Sequence, residues 1–158
     1  MKTYAFTGPR KTNSDDTLIV QKTLRSLQPD GQLWLFGDAP GVDNIVACYT
    51  ALHRVQKMLF QVPNNPKKQD FAIRSMKMID FLKTQKGTLI GFLNKNCPEQ
   101  CTLARPFSGH GSGTWGTIAY ARSLGIDVQL HLLSGIDYLD LPEWFHYKQL
   151  ELELKLEV

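Results

Sequence analysis

Short apolar stretches and longer amphipathic stretches alternate along the chain. Between the apolar stretches, hydrophobic residues recur every three or four positions, which is the spacing of one helix face. Continuous apolar strands separated by amphipathic helices are typical of a parallel sheet that is covered on both faces. The pattern therefore predicts a three-layer α/β domain with a mainly parallel, five-stranded sheet. Strands are expected at 4–6, 33–36, 57–62, 88–93 and 128–133, and helices at about 13–27, 42–54, 69–83 and 114–124.

Local signals predict where the first helix begins and which helix faces are buried. Asn13 or Ser14 is expected to cap the first helix, because a short polar side chain there accepts a hydrogen bond from the first turn. Apolar residues at helical spacing predict the core positions of the next two helices. They are Ile45, Val46, Tyr49 and Leu52 in the second helix and Phe71, Met78, Ile79 and Leu82 in the third.

The C-terminal tail follows a different period. From residue 150 apolar and mostly charged side chains alternate without a break, which predicts a half-buried strand. This strand is expected to add an antiparallel edge to the sheet or to pair with a second subunit. We therefore divide the chain into a ligand-binding domain at 1–135 and a C-terminal extension at 136–158, packed on the same domain or on a partner subunit. The apolar positions of the tail are Leu150, Leu152, Leu154, Leu156 and Val158.

Composition narrows the class of protein. Of the 158 residues, 42% are apolar and 21% are charged, so one globular domain is expected and disorder is excluded. The N-terminus runs directly into a predicted strand without a signal-peptide core, and no apolar run reaches the roughly 18 residues of a membrane span. Three cysteines do not make a disulfide framework. A soluble, cytoplasmic protein with no membrane partner is expected.

The net charge of +3 is unevenly distributed. Residues 137–158 contain six acidic and two basic side chains, a net −4, which leaves sixteen basic and nine acidic side chains, a net +7, in the rest of the chain. A basic body suits an anionic partner such as a nucleotide or a nucleic acid, and it equally suits a solvated surface. Cys97 and Cys101 have no further Cys/His pair at ligand spacing, so no metal site is predicted.

Two glycine-bearing turns follow the first two predicted strands. In an open parallel sheet, ligands bind outside the carboxyl ends of the strands. In the first turn, 7–10, Gly8 lets a ligand approach the backbone closely, and Arg10 can donate two hydrogen bonds to a phosphate. The alternative is that 7–10 is an ordinary strand-to-helix turn. In the second, 37–43, two glycines shape a turn that opens a helix with free N–H groups. Asp43 is either a helix cap or a contact to ribose hydroxyls.

A third glycine-rich segment, 108–117, runs directly into the fourth predicted helix. It contains four glycines and four hydroxyl side chains, a composition that suits a backbone wrapped around an anion. It lacks the Gly-Lys-Ser/Thr ending of a Walker loop. His110 reads as a loop residue rather than a catalytic base, because the sequence assigns it no carboxylate partner. Trp115 either stacks on a base or packs against the sheet.

Taken in chain order, these segments resemble the SLOG superfamily, the Rossmann-like group that contains the LOG proteins and the fold of DNA-processing protein A. The resemblance covers about residues 3–133 and is nearest to the branch related to YspA and YpsA, in which a GA-x-GVD-like turn and an RN-x-x-M-like helix are typical. It is carried by 7–10, 37–43, 74–79, 88–92 and 113–121.

The resemblance implies a pocket for a nucleotide or a nucleotide-derived ligand, lined by the glycine turns. It places Arg74 and Ser75 at a phosphate or sugar, and residues 113–117 around a phosphate. It also implies a homodimer. The candidate ligand-binding residues are Thr7, Gly8, Pro9, Arg10, Gly37, Asp38, Gly41, Val42, Asp43, Arg74, Ser75, Met78, Gly113, Thr114, Trp115, Gly116 and Thr117.

One departure from the LOG pattern bears on catalysis. LOG phosphoribohydrolases share a glutamate that assists cleavage of the N-glycosidic bond. At the corresponding position this chain has Ala119 or Tyr120. Ser75 also replaces the usual asparagine. No catalytic residue and no cofactor is therefore predicted, and the leading hypothesis is a sensor or carrier of a nucleotide-like small molecule.

Two other functions compete with this hypothesis. The first is a nucleoside-monophosphate N-glycosidase that uses Asp43, Asp38 or His110 in place of the missing glutamate. The second is single-stranded nucleic-acid binding along a basic face of the chain. That face comprises Lys67, Lys68, Arg74, Lys77, Lys83 and Lys86.

Overall fold

A computed structural model describes residues 1–108 and 113–146. It confirms the predicted α/β class: five parallel strands form one sheet in the order β3-β2-β1-β4-β5. The strands are β1 (Lys2–Thr7), β2 (Gln32–Gly37), β3 (Gln56–Phe60), β4 (Thr88–Leu93) and β5 (Asp127–Leu132), and the helices are α1 (Ser14–Ser26), α2 (Val42–His53), α3 (Lys68–Thr84) and α4 (Gly113–Ser123), followed by a 3-10 turn at Tyr138–Asp140.

Helices cover both faces of the sheet, because side chains of the central strands alternate between two separate cores. Ala5 of β1 points towards α3 and α4, and its neighbour Phe6 points towards α1 and α2. On the α1/α2 side, Phe6 packs beside the fully buried Trp34 at a ring distance of 4.9 Å. On the other side, Ile79 and Ile118 are fully buried. The result is a three-layer, Rossmann-like domain.

Asn13 caps α1, as its position predicts. Its side-chain oxygen accepts a hydrogen bond from the Asp16 backbone N–H at 2.8 Å. Asp16 is itself 2% exposed and accepts from both the backbone N–H and the hydroxyl of Ser134, at 3.0 and 2.9 Å. The start of α1 is therefore attached to the segment that follows β5.

Two burial predictions are wrong. Leu52 of α2 is 78% exposed, because the buried stripe of this helix runs through Val42, Val46 and Thr50 at a spacing of four, and Leu52 lies off it. The third strand is also not covered on both faces. It ends at Phe60 and lies at one edge of the sheet, where the first four of its five residues are exposed.

The described part of the C-terminal extension packs onto α4. Leu141 and Phe145 join the core on the α3/α4 side, and the Phe145 ring lies 4.3 Å from the guanidinium of the buried Arg122. The alternating tail from residue 150 lies outside the described residues. Within residues 1–108 and 113–146, no helix has the length and apolar character needed to span a membrane.

Candidate functional site

The turns after β1 and β2 lock into one another. The backbone N–H of Val42 donates to the carbonyl of Pro9 at 3.1 Å. A side chain at Gly8 would place its Cβ 2.5 Å from Cγ2 of Val42, and a Cβ at Gly41 would collide with the backbone of Pro9 and Arg10. Gly41 also has a φ of +79°. Both glycines are thus required for close packing, and we call residues 7–10 and 37–43 the paired turns.

Arg74 of α3 lies directly over the second of the paired turns. Its Nη1 forms an ion pair with Oδ1 of Asp38 at 2.5 Å, and the other oxygen of Asp38 accepts from the Val62 backbone N–H at 3.1 Å. A Cβ at Gly37 would lie 3.1 Å from the guanidinium carbon of Arg74. The missing side chain at Gly37 therefore makes room for the arginine, and Asp38 fixes its orientation.

Arg10 and Arg74 both lie beside the ring of Phe71. The guanidinium carbons are 4.9 and 6.0 Å from the ring centroid, within the range of a cation–π contact. The sequence pattern assigned Phe71 to the core, yet the structure leaves it half-buried beside the two arginines. The spacing of three between Phe71 and Arg74 is the signal that could have placed them on one helix face.

Asp43 is a buried carboxyl in the same region. It is 8% exposed, and its Oδ2 accepts from the Ala39 backbone N–H at 3.1 Å. Asp43 therefore accepts from the turn that precedes its own helix, and the N-cap of α2, Gly41, has no side-chain hydrogen bond. Burial raises the pKa of Asp43 to about 6, although the Ala39 N–H and the nearby Arg74 guanidinium favour the charged form.

This raised pKa makes the contribution of Asp43 to stability depend on pH. The folded pKa of about 6 exceeds the ordinary value of 3.8, so the native state holds the proton more tightly and stability falls as pH rises from about 4 to 6. At roughly 1.4 kcal/mol per pKa unit, the loss is on the order of 3 kcal/mol. Asp43→Asn keeps an oxygen for the Ala39 N–H and should lack this decline.

Urea unfolding at pH 4 and pH 7 measures the effect. From pH 4 to pH 7, the free energy of unfolding should fall less in Asp43→Asn than in the wild type. Asp30→Asn, at an exposed carboxyl in the turn before β2, is the matched control. Its free energy of unfolding should change between the two pH values by the same amount as that of the wild type. If that of Asp43→Asn also changed by this amount, Asp43 would not carry a raised pKa.

The described end of the third glycine segment, 113–117, begins α4 and packs mostly within the protein. Gly113 is exposed and Thr114 half-buried, whereas Trp115 is 1% exposed and donates from its indole to the Lys95 carbonyl at 2.9 Å. Of the two roles predicted for Trp115, the structure therefore supports packing within the protein. Gly116 lies against the Phe107 ring, and the Thr117 hydroxyl donates to the Gly113 carbonyl at 2.7 Å within α4. Residues 109–112, His110 included, lie outside the described part of the chain.

The other sequence-predicted residues lie deeper. Ser75 and Met78 are 7% and 4% exposed on the inner face of α3, and Thr7 is 8% exposed beside Gly91 of β4. The strand order reverses direction between β1 and β4, which is where ligands bind in open α/β sheets. There Asn94 donates to the Lys11 carbonyl at 3.2 Å, so the loop after β1 is anchored across this crevice.

A small hollow of about 150 Å³ lies at the opposite end of the sheet, between 29–32 and 53–56, and is below the usual size of a ligand pocket. Among the described residues, no three His, Cys, Asp or Glu side chains group closely enough to hold a metal ion. In comparisons with known proteins, neither a scan of family models nor a search of curated sequences finds a match.

Proposed function

We propose that this chain binds a nucleotide or a nucleotide-derived small molecule at the carboxyl ends of β1 and β2, as a sensor or carrier without catalysis. The observation that carries the proposal is the approach of Arg10 and Arg74 to Phe71 beside the paired turns. Two guanidinium groups next to backbone that glycine keeps free of side chains form a site suited to phosphate oxygens.

The same site offers groups for the rest of a nucleotide. The half-buried ring of Phe71 provides an aromatic surface for a base or sugar. The carboxylate of Asp38 contacts Arg74 and is 24% exposed, so it can accept a hydrogen bond from a ribose hydroxyl. Arg10 is exposed and has no carboxylate within ion-pair distance in the part of the chain that the structure describes, so its charge is available to an anion.

The resemblance to the SLOG superfamily supports the same ligand class. In that superfamily the corresponding turns line a nucleotide pocket, and we propose membership on the combined order of the motifs at 7–10, 37–43 and 74–79. The homodimer implied by the resemblance remains part of the proposal. Binding of single-stranded nucleic acid stays the third candidate, since the lysines of α3 that would contact phosphates are exposed but its two aromatic side chains, Phe71 and Phe81, are half-buried.

A second candidate function is favoured by Asp43. A buried carboxyl with a pKa near 6, close to Arg74, can hold a proton near neutral pH and donate it to a leaving base. This would make the chain an N-glycosidase of nucleoside monophosphates. Chromatographic detection of free base after incubation with nucleoside monophosphates, lost in Asp43→Asn, would favour the enzyme over the sensor.

The proposed binding function is tested by a thermal-shift panel of nucleoside mono-, di- and triphosphates, dinucleotides and cyclic nucleotides. A ligand at a hundred times its dissociation constant stabilises the native state by about 2.7 kcal/mol. For a domain of this size we expect the melting temperature to rise by roughly 5–10 °C. An unchanged melting temperature with every member of the panel would contradict the proposal.

A further inference from the structure

Two of the three cysteines lie together in the segment between β4 and α4, outside the proposed ligand site. Cys97 is half-buried and Cys101 is 2% exposed, whereas Cys48 is exposed on α2. The backbone N–H of Cys101 donates to the Pro98 carbonyl at 3.0 Å, so the chain folds back between the two cysteines. This turn places the sulfur of Cys97 3.8 Å from the carbonyl oxygen of Cys101.

The two thiols also contact each other. The thiol of Cys97 donates to the sulfur of Cys101, which raises the pKa of Cys97 and lowers the pKa of Cys101. Once the pair has lost one proton, the remaining proton therefore stays on Cys97. The thiolate, which is the reactive form, then resides on Cys101 and is stabilised by the thiol of Cys97.

A chain of contacts connects these thiols to the first turns of α4. The sulfur of Cys101 donates to the Pro106 carbonyl at 3.2 Å. That carbonyl and the neighbouring ring of Phe107 lie against Gly116, where an added Cβ would be 3.2 Å from the Pro106 oxygen. Two residues before Cys97, the Lys95 carbonyl accepts from the indole of Trp115. Both ends of the cysteine segment are therefore in contact with α4.

We propose that Cys97 and Cys101 are an oxidation site: a peroxide converts the two thiols into an intramolecular disulfide, and the change is transmitted to the start of α4. The Cys101 thiolate attacks one peroxide oxygen and the O–O bond breaks, which gives a sulfenic acid and, for hydrogen peroxide, one water. The sulfur of Cys97 then attacks the sulfenic sulfur, its proton joins the departing hydroxyl, and a second water leaves. Two thiols and one hydrogen peroxide thus give one disulfide and two waters.

Disulfide formation removes a hydrogen bond from the cysteine segment, and this loss transmits the change to α4. A disulfide sulfur carries no hydrogen, so the donation from Cys101 to the Pro106 carbonyl is lost. The carbonyl then loses its partner at the point where it lies against Gly116. We expect the first turns of α4 to exchange their amide hydrogens faster in the oxidised protein than in the reduced protein.

The experiment uses the full chain with Cys48→Ser, which removes the exposed third thiol. Treatment with one equivalent of hydrogen peroxide should leave no titratable thiol and should give a single peptide in which residues 97 and 101 are linked. The matched variant Cys48→Ser/Cys97→Ser lacks the sulfur that closes the disulfide and should form no intramolecular link. If the parent protein gave only sulfinic acid or disulfides between chains, the proposal would be overturned.

The second readout is hydrogen exchange of residues 113–117 in the reduced and oxidised states. Severalfold faster exchange in the oxidised protein, reversed by dithiothreitol, is the expected result. A disulfide that left the exchange of these residues unchanged would equally overturn the proposal. Neither readout needs a bound ligand, so the outcome is independent of the proposed nucleotide function.

Discussion

Replacing Gly41 with alanine is expected to destabilise the domain by about 3 kcal/mol or more. Its φ of +79° already costs a side chain roughly 1–2 kcal/mol. The added Cβ would also lie 2.5 Å from the carbonyl carbon of Arg10 and still closer to the Pro9 oxygen, and both are backbone atoms that cannot rotate away. A melting temperature lower by roughly 6–12 °C is the measured consequence, together with weaker binding of any ligand held by the paired turns.

Gly125→Ala is the matched control for this substitution. Gly125 follows α4 and has a φ of +77°, but nothing lies within 4 Å of its added Cβ. It therefore isolates the backbone cost without the collision, and we expect a loss of only about 1 kcal/mol. Equal losses in the two variants would show that the paired turns do not pack as closely as described.

Replacing Arg74 with glutamine is expected to weaken nucleotide binding by about 10- to 100-fold. A hydrogen bond between charged groups contributes roughly 1.5–3 kcal/mol, and glutamine cannot supply the charge. The fold should survive, because the glutamine amide can still donate to the Asp38 carboxylate, which is 24% exposed and also accepts from the Val62 N–H. Calorimetric titration with the panel member that gives the largest thermal shift measures the change in affinity.

Lys77→Gln provides the comparison for Arg74→Gln. Lys77 lies three residues further along α3 and is exposed, so the substitution removes the same charge from the same helix outside the candidate site. Its affinity should stay within about twofold of the wild type. An equal loss in both variants would indicate binding by the general positive charge of α3 rather than by Arg74.

Periodicity predicted the fold well because strand and helix periods depend on nearby residues. The strand at 88–93 has the predicted bounds, and the cap at Asn13 has the predicted partner. Leu52 and β3 were assigned wrongly for a related reason. Whether an apolar residue is buried depends on which neighbour covers it, and the strand order that puts β3 at the sheet edge is not encoded in local spacing.

The sequence predicted the turns that form the candidate site, but it did not predict the contacts between them. Gly8 and Gly41 stand out in the sequence, but the interlocking of their turns depends on β1 and β2 being adjacent. The Asp38–Arg74 pair joins residues 36 apart, and its partners come from different elements. Phe71 was assigned to the core because apolar spacing is the same for a residue facing the sheet and for one at its carboxyl edge.

The central claim concerns where an anionic ligand binds, and NMR chemical-shift mapping tests it most directly. Titration of the labelled protein with the panel nucleotide that gives the largest thermal shift should move the amide signals of residues 7–10, 37–43 and 71–74, and the Nε–H signals of Arg10 and Arg74. Shifts confined to the hollow at 29–32 and 53–56, or no shifts at saturating nucleotide, would contradict the account.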